Sequence, residues 1–324
     1  MVNRNDRLAV LFPGQGAQYV GMGKGLYETC PEARRVFDEA NRILGFDIKR
    51  LIFEGPEGTL TKTANSQPAI FVMSYAAWEA LKAHAGSLKP RAFAGLSLGE
   101  YTALVAADAI SFNEGLRLVL KRGEYMEEAC LAHPGTMASV IGLSMDKVKA
   151  LCASARRLGI VDVANANSPG QIVVSGEKDA VEEAAKLARE RGAKRVIALK
   201  VSGAFHSRLM EDAERLLSAE LKKANFTRAS VPVVANVTGE EETEPGEIRE
   251  NLARQVTGSV LWQKSVELLV SRGVNTFVEV GCGKVLQGLV RRIRPDTLRM
   301  GVEDASSLEA TVKALREKGV GHAG

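Results

Sequence analysis

Short apolar runs alternate with longer stretches of helical periodicity along most of the chain. Leu8-Ala9-Val10-Leu11-Phe12 reads as a buried strand, broken by Pro13-Gly14-Gln15-Gly16. A polar helix is predicted after Cys30-Pro31, and a long apolar helix from Gln67-Pro68 to about His84. Arg91-Ala92-Phe93-Ala94-Gly95 follows a proline and reads as a second short strand. Glu100 to Ala107 reads as a helix, and a further helix is predicted from about Asn113 through Arg122 to Cys130. Strand, turn and helix in repeated order predict an α/β protein with a mostly parallel sheet.

Residues 136–201 carry a different pattern. Thr136 to Ile141 reads as a strand and Asp146 to Ala155 as a helix. Val161 to Asn165 and Gln171 to Ser175 read as strands joined through Ser168-Pro169-Gly170. Asp179 to Arg191 is a predicted helix, and Arg195 to Leu199 a closing strand. The order βαββαβ is the ferredoxin-like split motif. It predicts a small domain over residues 134–201, inserted into a larger one formed by 1–133 and 202–324. Beyond residue 202 the α/β pattern resumes, with strands at Val231–Ala235 and Thr276–Val280. Glu240-Glu241-Glu242-Thr243-Glu244 reads as a solvated loop.

At 324 residues the chain is long enough for one large domain or two. Hydrophobic content of 45% and charged content of 25% place it among ordinary globular proteins. The four cysteines, Cys30, Cys130, Cys152 and Cys282, are widely spaced. A disulfide framework or zinc site is therefore not expected, and a reducing cytoplasm is the expected location. The apolar run at Leu8–Phe12 is too short for a signal peptide or a membrane span. A net charge of +4, without a dense basic run interleaved with aromatics, does not indicate nucleic acid. It suits a small acidic partner docking beside an active site.

Between the second strand and its helix stands Gly95-Leu96-Ser97-Leu98-Gly99, a G-x-S-x-G nucleophile elbow. A sharp strand-to-helix turn exposes the serine hydroxyl and aims backbone N–H groups at the same point. The alternative is a plain serine in a strand–helix turn. Gly142-Leu143-Ser144-Met145-Asp146 is a near miss in which Ser144 reads as a helix N-cap. A serine nucleophile needs a base, and the chain has four histidines. His322 lies in a Gly-rich tail, His84 ends a helix, and His133 precedes Pro134 at the domain junction. By elimination His206, between a strand and a helix, is the candidate base; a packing or capping histidine is the alternative. Arg122 is either a solvated helix residue or a guanidinium fork for a substrate carboxylate. Gly14-Gln15-Gly16 lacks the third glycine of a dinucleotide fingerprint, as does Gly281-Cys282-Gly283. The first reads better as a turn whose N–H groups approach an oxyanion.

These features do not stand alone. Phe12–Gln18, Ser66-Gln67-Pro68-Ala69, Gly95–Tyr101, Arg122-Gly123, Asn165–Gln171, Gly203–Ser207, Gln255 with Trp262, and Glu279-Val280-Gly281 occur in order over about residues 8–310. Together they resemble the malonyl-CoA:acyl carrier protein transacylases, the acyltransferases of fatty acid biosynthesis and polyketide synthesis. The resemblance implies a hydrolase-like α/β domain with a ferredoxin-like insert. It implies Ser97 as acylated nucleophile and His206 as its base, with backbone N–H groups of Gln15 and Leu98 as the oxyanion hole. Arg122 would bind the malonyl carboxylate, Gln255 would orient His206 through its carbonyl, and Asn165 would lie nearby. Phe205 would crowd the α-methyl of methylmalonate. The implied reaction is ping-pong transfer of malonyl from malonyl-CoA to the phosphopantetheine thiol of acyl carrier protein, with no metal or other cofactor. A monomer is expected.

The chain departs from the family at Leu96, where a histidine usually precedes the nucleophile, and at Cys282, where proline is common. The first departure leaves the serine–histidine pair intact and removes a polar contact. Two other functions fit the elbow: a serine esterase or thioesterase, and a non-catalytic docking module for the carrier. A hydrolase needs an acid between Ser97 and His206. Asp162 and Asp179 fall there, both in the insert.

Overall fold

The computed structural model describes residues 8–318, so His322 lies outside the described residues. Its strands are β1 (Leu8–Phe12), β2 (Ala92–Gly95), β3 (Thr136–Ile141), β4 (Val161–Ser168), β5 (Gln171–Gly176), β6 (Arg195–Ala198), β7 (Val233–Val234), β8 (Glu241–Glu242), β9 (Thr276–Val280) and β10 (Leu298–Val302). They form two sheets. The larger has the order β10-β9-β1-β2-β7-β8 and is parallel except for the β7–β8 pair. Every residue of β1, β2 and β9 is buried, as expected of a parallel sheet covered on both faces. One face packs under Trp262, Val266, Leu286 and Leu289. The other meets the long Thr63–Ala85 helix and the Phe112–Ala132 helix.

The smaller sheet has the order β4-β5-β3-β6, antiparallel throughout, which is the ferredoxin-like order. Its side chains obey the period of two. Ala138, Val140, Ile172 and Val174 face the Met145–Ala155 and Lys178–Glu190 helices. Met137 and Val173 point the other way, into the apolar cluster of the large body. A seam of backbone bonds joins β4 to residues 259 and 260 of the large body, just before the Trp262–Ser271 helix. Ala166 N–H donates to the Val260 carbonyl at 2.9 Å, and Val260 N–H to that of Ala164 at 2.8 Å. The Ser259 hydroxyl donates to the Val163 carbonyl beside them. The pairing of β4 with β5 shifts register at Val163/Asn165 and Ala166/Ser168. Such irregularities re-aim side chains.

The structure corrects the sequence reading at five places. The long helix begins at Thr63, not Gln67, with Pro68 in its second turn. A proline there forfeits one helical bond, and the Glu127 carboxylate anchors the start by accepting Ala64 N–H at 2.8 Å. The expected strand at 231–235 shrinks to Val233–Val234, after a proline that has no N–H to donate. The acidic run is no solvated loop. Glu241–Glu242 pairs with β7, and alternation turns Glu242 inward to accept from Asn251 Nδ2 at 2.7 Å. Burial, and then the neighbouring Glu100, push the Glu242 carboxyl up to about 9. Ser144 holds the N-cap position as expected, but its side chain makes no capping bond. The edge strand β10 was not foreseen.

The elbow is set by contact between backbones. A Cβ on Gly95 would overlap the carbonyl of Gly99, and one on Gly99 would overlap that of Phe12. Gly95→Ala should therefore destabilise the protein by about 3 kcal/mol or more, because the clashing atoms are backbone and cannot rotate away. Gly288, inside the Val285–Ile293 helix, has open space where its Cβ would be. Gly288→Ala should stabilise by ~0.5–1 kcal/mol. Denaturant unfolding of the two variants checks both signs.

Candidate active site

Three loops leave the carboxyl ends of neighbouring strands: Pro13–Gly16 after β1, the elbow after β2, and Ala235-Asn236 after β7. That edge is where open α/β sheets place their chemistry. Ser97 has a φ of 52°, in the left-handed region. The Asn236 side chain holds it there, its Oδ1 accepting Ser97 N–H at 2.6 Å and its Nδ2 donating to the Gly95 carbonyl at 2.7 Å. With Ser97 N–H occupied, the next N–H in the chain is that of Leu98, at the mouth of the Gly99–Ala106 helix. Among the described residues, no group accepts the backbone N–H of Leu98 or of Gln15. Both are therefore open to an oxyanion.

His206 Nε2 lies 2.8 Å from Ser97 Oγ. Its Nδ1 lies 2.8 Å from the main-chain carbonyl of Gln255. A carbonyl only accepts, so Nδ1 carries the proton and Nε2 faces the serine as an acceptor. His206 also has a positive φ, 57°. Burial first, and the Arg122 guanidinium second, push its imidazole down to about 4. The ring is therefore neutral at physiological pH and able to take the hydroxyl proton.

Arg122 is buried at 1% exposure, so the solvated reading of this residue is wrong. Gly123 lets its helix approach Ala64 closely, which brings the guanidinium beside the Thr63–Ala85 helix. Nη1 donates to Gln67 Oε1 at 2.7 Å, and Nη2 to Ser97 Oγ and Gln255 Oε1, each at 2.9 Å. Among the described residues no carboxylate forms an ion pair with it. A buried cation bonded to neutral oxygens, one of them the reactive hydroxyl, is a receptor short of an anion.

These groups share a cleft of about 280 Å³, whose walls include Gln15, Leu96, Ser97, Arg122, Asn165, Phe205 and His206. The structure thus gathers every sequence-selected site residue. Leu98 contributes from beneath, and Gln255 through its bonds. Leu96 presents an aliphatic side chain to the cleft and its N–H to the Phe12 carbonyl at 3.0 Å. The other described histidines are elsewhere: His84 Nδ1 donates to the Ala80 carbonyl, and His133 faces Asp212. Asp162 is engaged by Arg156 and Arg208 and does not orient His206. Asn236, Gln67 and Glu100 join the site without having been expected from the sequence. Asn236 is an asparagine just past a strand end, and Gln67 a glutamine in an apolar helical stretch; those were the available signals. No group of histidine, cysteine and acidic side chains suited to a metal ion, and no helix long and apolar enough to cross a membrane, occurs among the described residues.

Residues 10–313 match the family model for the acyl transferase domain. The malonyl CoA-acyl carrier protein transacylase of Bacillus subtilis (strain 168) is 44% identical over 314 residues, spanning 97% of this chain and 98% of the relative. The crystal structure of the malonyl CoA-acyl carrier protein transacylase from Clostridium perfringens aligns with a TM-score of 0.93 at 42% identity, over 97% of this chain and 98% of that one. A malonyl-transacylase in complex with a type II PKS acyl-carrier protein aligns with a TM-score of 0.92 at 39% identity, over 95% of this chain and 99% of that one. The match runs from the first strand into the last helix and encloses the whole Ser97 cleft, and the chain belongs to the acyl transferase domain family.

Proposed function

We propose that the protein is a malonyl-CoA:acyl carrier protein transacylase, with Ser97 as nucleophile, His206 as base and Arg122 as receptor for the malonyl carboxylate. The observation that carries this reading is one hydroxyl, Ser97 Oγ, held at 2.8 Å by a neutral imidazole nitrogen and at 2.9 Å by an arginine without a carboxylate partner. Ser97 Oγ attacks the thioester carbonyl of malonyl-CoA while its proton passes to His206 Nε2. The oxyanion forms against the N–H groups of Gln15 and Leu98, donors typically worth ~3–4 kcal/mol each in such sites. The C–S bond breaks, His206 returns the proton to the leaving thiolate, and malonyl-Ser97 remains. The phosphopantetheine thiol of acyl carrier protein then gives its proton to His206 and reverses the sequence. Thioester is exchanged for thioester, so the equilibrium is nearly balanced.

In the resting site Arg122 donates to the nucleophile, and a malonyl carboxylate takes those donors in two parallel bonds. Phe205 and Asn165 complete the acyl pocket, Phe205 by crowding an α-methyl group. A serine hydrolase would place a carboxylate at His206 Nδ1, where this chain places the Gln255 carbonyl. The same reading assigns residues 134–201 to a small insert domain and 1–133 with 202–324 to the large one. The separate helix-facing apolar cluster of β3–β6 supports that division. The cysteines among the described residues are all unpaired and buried, which supports a cytoplasmic location.

Intact-protein mass spectrometry after brief mixing with malonyl-CoA should show one malonyl adduct, and Ser97→Ala should show none. An adduct that survives in Ser97→Ala assigns the wrong nucleophile. Arg122→Ala should lose malonyl transfer by roughly 30-fold or more, the cost of unpairing a buried charge, while acetyl transfer falls less or rises. Equal losses on both acyl groups would contradict the carboxylate receptor. The base form of His206 is the neutral ring and is lost as pH falls through its pKa. For malonyl-CoA, kcat/KM should therefore stay level from about pH 8 to about pH 5 and fall near 4. A limb at the ordinary histidine value of 6.5 would show that burial and Arg122 do not hold the ring neutral.

A further inference from the structure

Glu100 lies in the first turn of the Gly99–Ala106 helix and is fully buried. A glutamate at a helix start is ordinarily solvated, and burying its carboxylate is unfavourable unless hydrogen bonds compensate. Here the compensation is concentrated on one atom. Glu100 Oε2 accepts the backbone N–H of Asn236 at 3.0 Å and Gln255 Nε2 at 2.8 Å, while Oε1 has no hydrogen-bond partner among the described residues. Both donors lead directly to the reacting residues. Asn236 fixes the left-handed backbone of Ser97 by accepting its N–H. Gln255 fixes the imidazole by accepting from His206 Nδ1 with its main-chain carbonyl. The Gln255 side chain also donates to the Ser97 carbonyl at 2.9 Å and accepts from Arg122.

We propose that Glu100 is a positioning residue for acyl transfer: its Oε2 locks Gln255 and Asn236, and through them the mutual geometry of His206 and Ser97, without touching substrate. The inference rests on the reading of Ser97 and His206 as the transfer pair. Three features make it more than a fold contact. The two bonds share a single oxygen, so Asn236 and Gln255 cannot move independently. Their onward bonds end at Ser97 and His206. The second oxygen has no hydrogen-bond partner among the described residues, so every hydrogen bond of this carboxyl runs to Asn236 or Gln255.

The test uses the full-length chain with Glu100→Gln, Glu100→Asp and, as a control, the buried Glu279→Gln. Two readouts are taken: the rapid-quench rate of acyl-serine formation from malonyl-CoA, and the NMR resonance of the His206 Nδ1 proton without substrate. Glu100→Gln keeps an oxygen that can accept both N–H groups and should acylate within about threefold of wild type. Glu100→Asp keeps the carboxyl group but withdraws that oxygen by one methylene, and should slow acylation roughly 10- to 100-fold. Its KM for malonyl-CoA should change by about twofold or less, because no substrate contact is lost. Its Nδ1 proton resonance should shift or broaden. Glu279→Gln should alter melting temperature and leave acylation at the wild-type rate, because the Glu279 carboxylate bonds only the start of the Val285–Ile293 helix.

A folded Glu100→Asp with wild-type acylation and an unchanged resonance overturns the proposal. So does a Glu100→Gln as slow as Glu100→Asp. If Glu100→Asp does not fold, Asn236→Ala breaks the same linkage from the Ser97 side. The same slowing is expected there, and a wild-type rate rejects the linkage. Absence of any adduct in the wild-type protein would reject the transfer reading itself, while the resonance, read without substrate, still decides whether Glu100 positions His206.

Discussion

A positive charge enclosed by neutral oxygens is the constraint around which this molecule is arranged. The Arg122 guanidinium is removed from water and balanced by Gln67, Gln255 and the Ser97 hydroxyl instead of by a carboxylate. Three distant stretches of chain must meet for that to hold: the long apolar helix, the elbow, and the end of the Pro245–Gln255 helix. A carboxylate partner would make the fold more comfortable and would fill the place of the substrate. Burial first, and this cation second, keep the neighbouring imidazole unprotonated, so the enclosure that favours an acid ligand also favours a free base.

The backbone strain at the site belongs to the same arrangement. Ser97 and His206 both sit at positive φ, a conformation that costs of order 1–3 kcal/mol per non-glycine residue. Neither position is held by apolar packing alone. Ser97 is pinned by Asn236 and by the close approach of the two elbow glycines. His206 is pinned through Gln255, which reaches Ser97, Arg122 and Glu100 as well. Such cross-bracing resists rotation of the hydroxyl and the ring away from each other. A pre-set proton-transfer geometry is the functional return on the strain.

Much of this was legible in the sequence, for definable reasons. Buried parallel strands read as continuous apolar runs, and Leu8–Phe12 did so. The insert showed a period of two, and its order βαββαβ was recovered element by element. The elbow announced itself through its glycines. Other features depended on neighbours distant in the chain. Pro68 was taken for a helix start because the anchor at Glu127 lies on another helix. Glu242 was lost in an acidic run because only pairing with β7 decides which way it faces. Asn236 carried no motif; its importance lies in three hydrogen bonds to residues more than a hundred positions away.

The seam that binds β4 to residues 259 and 260 has a consequence for traffic through the site. Backbone hydrogen bonds tie β4 to that segment as a spine holds a page, and they fix Asn165 at the edge of the cleft. The cleft of about 280 Å³ holds one reactive hydroxyl, that of Ser97. The nucleotide-borne arm and the protein-borne arm both have to exchange an acyl group with the same Ser97 hydroxyl, and so must use it in turn. The first has to leave before the second can arrive, and the acyl group must wait between them on the enzyme. The double displacement is thus enforced by the architecture as well as by the chemistry of serine.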